Sequence, residues 1–277
     1  MNWQILNLRP LESGSYGDLY LGERTDTGEQ VVIKYLRDAH LPQVKKAFAR
    51  EVRILARQLP GIVRVLASDL NANPPYYVMP YLGGSLKAHA GRLTADQLRA
   101  VARQLASVLA NLHSQLIYHG DIKPDNILIS GEGHLQVADP LGNGFGCTVL
   151  FSENHGGTPG YWAPEVRNGG PIHSAGDAYS FGATLYELST GRRPQDDQDL
   201  DLGPWADAKI REIIIGCCNS DPGLRPTMKD TLRLLEGERW EDIQTERRQR
   251  QELVGLCVLG GLAVALVLAL SQGRAKT

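Results

Sequence analysis

The sequence predicts an α+β fold of two lobes, a small β-rich N-lobe at about 8–80 and a larger helical C-lobe at about 81–236. A charged segment at 237–252, one apolar helix at 253–270 and a short tail at 271–277 follow. Two observations carry this prediction. Residues 1–80 hold short β-branched runs with one helical pattern among them, whereas from Thr94 onward apolar residues recur at helical spacing. The stretch 253–270 contains only Leu, Val, Ala, Gly and Cys.

In the first lobe, Glu29-Gln30-Val31-Val32-Ile33-Lys34-Tyr35 is β-branched at its centre and reads as a strand. Residues 62–70 and 76–79 read the same way. Between them, residues 44–59 place Val44, Ala47, Phe48, Val52, Ile54 and Leu55 at helical spacing, with Pro60-Gly61 as the stop. In the second lobe, Thr94-Ala95-Asp96-Gln97 is a capping-type start for a helix whose apolar positions recur through Leu116. Residues 174–188 and 206–218 follow as helices, and 236–252 as a charged helix.

The formal net charge of -2 gives no reason to expect a nucleic-acid partner. Of the four cysteines, Cys217 and Cys218 are adjacent, Cys147 is isolated and Cys257 lies in the apolar run. That pattern suits free thiols in a reducing compartment, not a disulfide framework or a zinc site. Met1-Asn2-Trp3-Gln4 lacks a basic stretch followed by an apolar one, so no signal peptide is expected.

The run at 253–270 spans about 27 Å as a helix at ~1.5 Å per residue, close to the ~30 Å of a bilayer core. A core helix usually keeps a polar face, and this run has none. It is therefore expected to be a transmembrane helix. Arg239, Arg247, Arg248 and Arg250 precede it and only Arg274 and Lys276 follow, which puts the N-terminal part in the cytosol. The tail beyond the span is too short for a sensor domain. Cys257, Gly261, Ala265 and Ala269 form a small-residue stripe, so the span is either a simple anchor or a homodimer interface.

The chemistry concentrates in Tyr118-His119-Gly120-Asp121-Ile122-Lys123-Pro124-Asp125-Asn126-Ile127-Leu128. An Asp can accept the proton of an attacking hydroxyl, a Lys two residues on can steady a phosphoryl group, and an Asn five residues on can bind a metal ion. This stretch resembles the catalytic loop of the protein-kinase family, with Gly120 in place of the family's usual Arg. Taken alone it also resembles small-molecule phosphotransferases of the aminoglycoside and choline type, which use His-Gly-Asp.

Further matches follow the order of a protein kinase. Val31-Val32-Ile33-Lys34 resembles the strand whose Lys grips the α- and β-phosphates, and Glu51 falls where the resemblance implies its partner. Leu11-Glu12-Ser13-Gly14-Ser15-Tyr16-Gly17-Asp18-Leu19 is similar to the phosphate-covering loop, with Gly14 and Gly17 retained and Glu12 at the first glycine position. Val137-Ala138-Asp139-Pro140-Leu141 stands where the family has Asp-Phe-Gly; Asp139 keeps the carboxylate implied to bind magnesium, and Pro140 restricts the pivot. Gly157-Thr158-Pro159-Gly160-Tyr161-Trp162-Ala163-Pro164-Glu165 resembles the end of an activation segment that receives a peptide. Asp177-Ala178-Tyr179-Ser180-Phe181-Gly182 resembles the buried helix that supports the catalytic loop. Asp221-Pro222-Gly223-Leu224-Arg225-Pro226 supplies the Arg implied to pair with Glu165. These last three, found together, set protein kinases apart from small-molecule ones.

The resemblance covers roughly residues 8–236 and implies a two-lobed protein-kinase-like fold. Lys123 and Gly157-Thr158 follow its Ser/Thr type. The implied catalytic residues are Asp121 and Lys123, with Asn126 and Asp139 as metal ligands. ATP is implied to lie among Gly14, Gly17, Leu19, Val32, Lys34, Glu51, Met79, Tyr81, Leu82 and Leu128. The cofactors are ATP and Mg2+, with Mn2+ as the alternative ion, and the partners are protein substrates with Ser/Thr acceptors and a membrane. The compact chain resembles bacterial members, which suggests the inner membrane. Two absences accompany this reading. Without an Arg before Asp121, a phosphorylated activation loop is expected to find no basic partner there. Residues 191–206 leave little room for a docking helix. The rival reading is a pseudokinase scaffold that recruits partners to the membrane, for which Glu12, Pro140 and Leu141 argue.

Overall fold

The structure, a computed structural model, describes residues 3–13, 17–141, 160–195, 200–203, 207–250 and 252. Five antiparallel strands form the first sheet in the order β1-β2-β3-β5-β4: β1 (Ile5–Ser13), β2 (Gly17–Arg24), β3 (Gln30–Leu36), β4 (Ala67–Asp69) and β5 (Tyr76–Pro80). The register pairs Leu19 with Lys34 and Lys34 with Tyr77, and likewise Leu21 with Val32 and Val32 with Met79. Residues opposite one another, and residues two apart, share a face, so all of these side chains leave one side of the sheet. The other side is closed by Val31, Ile33 and Val78, with Trp3, Ile5, Leu66 and Tyr76 packed on them.

Helix α1 (Pro42–Leu55) buries Val44, Phe48, Glu51, Val52, Ile54 and Leu55, and Phe48 meets Tyr77 with ring centroids 5.5 Å apart. The helix ends at Leu55, earlier than the expected 59. Gln58 adopts a left-handed φ of 52°, and Pro60 disfavours helical backbone at the residue before it. The expected strand at 62–70 is split. Gly61–Val63 bond with Val137, whereas only Ala67–Asp69 pairs with β5, so one apolar run serves two sheets.

Past β6 (Gly84–Ser85) comes α2 (Ala95–Ser114), which starts on the expected capping box: the Thr94 hydroxyl accepts from Gln97 N–H, and Gln97 Oε1 accepts from Thr94 N–H. Strands β7 (Ile127–Ile129) and β8 (Leu135–Val137) complete a small sheet with β6. Then follow α3 (Pro164–Arg167), α4 (Ser174–Thr190), α5 (Ala208–Cys217) and α6 (Met228–Leu235). Helix α4 is buried nearly all round, from Gly176 through Ser189, the pattern of a central core helix. Helix α5 begins at Ala208 because Asp207 caps the N–H groups of Lys209 and Ile210. Among the described residues no helix lies between Thr190 and Ala208; residues 196–199 and 204–206 of the short 191–206 stretch lie outside them.

Arg233–Thr277 is a second compact unit, distinct from Met1–Leu232. Its described part includes a helix, α7, over 240–250. Arg233 Nη2 reaches Glu238 and Glu246, each at 2.7 Å, and Arg250 pairs with Glu246 one turn back. Among the described residues no helix is long and apolar enough to cross a membrane. The expected span at 253–270, with Cys257, Gly261, Ala265 and Ala269, lies outside the described residues, as does most of the activation segment.

Candidate active site

Residues 118–128 join α2 to β7, and their conformation is fixed from below by α4. Asp177, in its first turn, is fully buried. Its Oδ2 accepts from His119 N–H at 2.8 Å and lies 2.9 Å from His113 Nε2, while Oδ1 accepts from Gly120 N–H at 2.7 Å. Burial alone would raise this carboxyl, yet the bonds from His113 and the loop hold it below the ordinary value. His119 Nε2 faces the Ala138 carbonyl at 2.9 Å and its Nδ1 accepts from Asp121 N–H at 3.2 Å. That pattern requires the neutral ring, and burial pushes its pKa down in agreement. The strand-end residue Ala138 and the catalytic loop are thereby tied together.

Asp121 is buried, and its two oxygens differ. Oδ2 accepts from Asn126 Nδ2 at 2.8 Å and from Lys123 Nζ at 2.9 Å. Oδ1 is buried with no hydrogen-bond partner. Asn126 Nδ2 also donates to the Asp121 carbonyl at 2.8 Å, so the amide nitrogen is fully used and the amide oxygen remains for a ligand. An orphaned buried carboxylate oxygen is costly in a folded protein, so this one is poised to receive a group from outside.

Across the cleft, Lys34 is buried on β3, and its Nζ lies 2.8 Å from Glu51 Oε1 and 2.9 Å from Asp139 Oδ2. Sequence reasoning placed Lys34 with Glu51, and the structure joins them. Asp139 has φ of 59°, a region tolerated by Asp and consistent with avoiding the helical region before Pro140. Leu141 N–H donates to the His119 carbonyl at 2.8 Å, so the Pro140-Leu141 replacements sit in a bonded segment. Burial would lower the Lys34 pKa, but Asp139 and Glu51 raise it and keep the ammonium charged. Burial pushes the Glu51 carboxyl up, against the pull of Lys34, whereas Lys34 holds Asp139 down despite burial. One ammonium thus faces two carboxylates. The excess negative charge and the hard oxygens of Asp139 and Asn126 fit a divalent cation completed by phosphate oxygens.

Of the residues expected around the nucleotide, Leu19, Val32, Lys34 and Met79 share one face of the first sheet, whereas Leu128 lies on β7 of the second. Val32 and Met79 are buried, and Leu19, Tyr81, Leu82 and Leu128 are half-buried. Tyr81 N–H donates to the Gln30 carbonyl at 3.1 Å and is therefore not available to a ligand. Pro80 has no N–H. Gly17 opens β2, where a Cβ would fall 2.6 Å from the Tyr35 carbonyl, so close strand packing alone accounts for glycine there. Gly14 lies outside the described residues.

Elsewhere in the helical lobe Arg225, fully buried, clasps Glu165 through Nη1–Oε1 and Nη2–Oε2 contacts of 2.6 and 2.9 Å. Tyr161 donates to Glu187 Oε2, and Lys87 Nζ lies 2.5 Å from Glu187 Oε1. Sequence reasoning missed Glu187, Lys87 and Tyr77. For Tyr77 a signal existed: it is two residues from Met79, hence on the same face of the strand.

Residues 6–234 match the family model described as Protein kinase domain. CBL-interacting serine/threonine-protein kinase 16 of Arabidopsis thaliana is 28% identical over 253 residues, covering 80% of this chain and 54% of its own length. Serine/threonine-protein kinase pkn2 of Myxococcus xanthus is 33% identical over 205 residues, 68% of this chain and 24% of its own. Pkn1 of the same organism is 34% identical over 210 residues, 70% and 30% respectively. The chain spans about half the length of the plant relatives it matches.

Proposed function

The chain belongs to the protein kinase family, and we propose that it transfers the γ-phosphoryl group of ATP to Ser and Thr hydroxyls of proteins. The relatives it matches are named serine/threonine kinases, which supports the acceptor class. The observation that carries the reading is the Asp121 carboxylate. One oxygen is pinned by Lys123 and Asn126, and the other is buried and free to take a hydroxyl proton. Lys123 steadies the moving phosphoryl group, and Lys34, oriented by Glu51, grips the α- and β-phosphates. Leu82 offers its N–H to adenine, and Leu19, Val32, Met79 and Leu128 enclose the ring.

Asn126 and Asp139 would hold Mg2+. When bound, the ion would supply positive charge that neutralises the phosphates. The scaffold alternative is weakened by Asp139, whose carboxylate stays aligned with Lys34 although Pro140 and Leu141 depart from the family pattern. The working boundaries are a kinase domain at 8–236, a charged juxtamembrane segment at 237–252 and a transmembrane anchor at 253–270, with the kinase domain cytosolic. The uncharged composition of that run supports the anchor.

Incubation of the full chain in mild detergent with γ-labelled ATP, Mg2+ and a generic protein substrate tests the chemistry. Label is expected on Ser and Thr, and Asp121→Asn should lower transfer by roughly 10²–10⁴-fold. Near-wild-type transfer by Asp121→Asn would remove the assignment of the base. Carbonate-washed membranes should retain the full chain and release one that stops at residue 250.

A further inference from the structure

Tyr77 is directly opposite Lys34 in the β3–β5 ladder, and both side chains point to α1 and the cleft. Its ring is fully buried against Phe48, and Lys34 Nζ stands 5.7 Å from the ring centre. The phenol oxygen lies 2.6 Å from Glu51 Oε1 and 3.4 Å from Asp139 Oδ1. Lys34 Nζ contacts the same two carboxylates, at 2.8 and 2.9 Å. Two donors from neighbouring strands therefore share one pair of acceptors.

Packing against Phe48 needs only the ring, and a Phe would supply it. A buried hydroxyl is a cost unless it is bonded, so the informative part is where this one is spent. A phenol has one proton, and the distances assign it to Glu51. Among the described residues the bonds recorded for the Glu51 carboxylate come from Lys34 and Tyr77. The kinase reading above needs Glu51 to stay paired with Lys34 while Lys34 grips the phosphates, so the placement of Glu51 matters to the site. Tyr77 is its second recorded donor, and losing both donors would leave the buried carboxylate unpaired.

We propose that Tyr77 is a positioning residue whose hydroxyl holds Glu51, and with it α1, against the sheet independently of Lys34. Its ring belongs to the core; its hydroxyl belongs to the site. Nothing in the sequence match assigns this position, and the inference rests on the kinase reading only for the role of Lys34.

The test is amide hydrogen exchange over α1 (Pro42–Leu55) in the full chain, comparing wild type, Tyr77→Phe, Lys34→Met and the double variant. Each single variant leaves Glu51 one donor, so exchange in either rises modestly. The double variant should exchange about tenfold faster than the two single effects combine to give. Purely additive effects, or no change on removing the hydroxyl, would overturn the proposal.

A second measurement covers a double variant that does not fold. In Tyr77→Phe alone, amide exchange should rise over α1 and stay at the wild-type rate in β1 and β2. A rise spread evenly over the lobe would overturn the proposal equally. Steady-state kinetics of Tyr77→Phe should show kcat reduced about tenfold with KM for ATP changed less than about threefold. If wild type transfers no phosphate at all, the kinase reading fails, while the exchange comparison of the four apo proteins still decides whether Tyr77 holds α1.

Discussion

Gly120 donates its N–H to Asp177 Oδ1 at 2.7 Å, in a backbone conformation of φ 81° that side chains rarely adopt. A Cβ added there would lie 2.7 Å from Ile172 Cδ1 and 3.4 Å from Leu141 Cβ. Leu141, Ala163, Val166 and Ile172 form one buried apolar cluster beside this glycine. The two departures from the family pattern, Gly for Arg at 120 and Leu for Gly at 141, are thus two sides of one packing arrangement.

Restoring the family's arginine should therefore damage the protein. Gly120→Arg combines left-handed backbone with a crowded wall and is expected to cost about 1–3 kcal/mol. Urea unfolding followed by circular dichroism checks this; a midpoint equal to wild type would show that Ile172 and Leu141 yield freely.

The same cluster bears on control. With apolar groups where a basic pocket would be, phosphate on Thr148 or Ser152, both outside the described residues, should have no partner beside Asp121. Kinase activity is expected to survive exhaustive phosphatase treatment, and Thr148→Ala and Ser152→Ala should stay active. A collapse on dephosphorylation that autophosphorylation reverses would contradict this.

Arg225 should dominate the stability of the second lobe. Its guanidinium clasps Glu165 and also donates to the Ala175 and Asn219 carbonyls, with none of the side chain exposed. Arg225→Ala strands those acceptors and is expected to cost about 3–5 kcal/mol. Arg225→Lys should recover little, because an ammonium cannot reproduce the two-pronged geometry. Denaturant midpoints for the pair decide it.

Acid should unfold the protein through Asp177 and Glu165. Burial pushes both carboxyls up, but bonds from His113 and Arg225 respectively leave each below its ordinary value. A depressed carboxyl contributes stability that is complete above its unfolded pKa, about 4, and is lost as pH falls through the lower folded value. At higher pH two slopes oppose. His119, held neutral by burial, loses stability as pH falls below its unfolded pKa of about 6.5. Glu51, raised to about 7, gains stability on the same descent. The urea midpoint is therefore expected to be nearly flat from pH 7 to 5 and to drop steeply below 4, with Asp177→Asn flattening the drop.

The capped start of α2 and the strand carrying Lys34 were legible because each rests on local signals, a Thr94–Gln97 box and a β-branched run. The split of residues 62–70 between two sheets was not legible, since a continuous apolar run does not say which neighbour each half will meet. Lys34 and Glu51 could be paired because the resemblance implied it and the strand and helix that carry them were both legible. Asp139 as a second partner of Lys34 could not, because that contact depends on how the lobes close. Glu187 and Lys87 escaped for a similar reason: 100 positions separate them, and nothing local marks either one.

The bonds from Asp177 also set a schedule. His119 and Gly120 precede it by 58 and 57 positions, so the loop leaves the ribosome well before the helix that shapes it. At ~5–20 residues per second the interval is on the order of 3–11 s. During that time the N–H groups of His119 and Gly120 lack the carboxylate that fixes them. The loop therefore takes its final shape late in synthesis, only after α4 has emerged and packed.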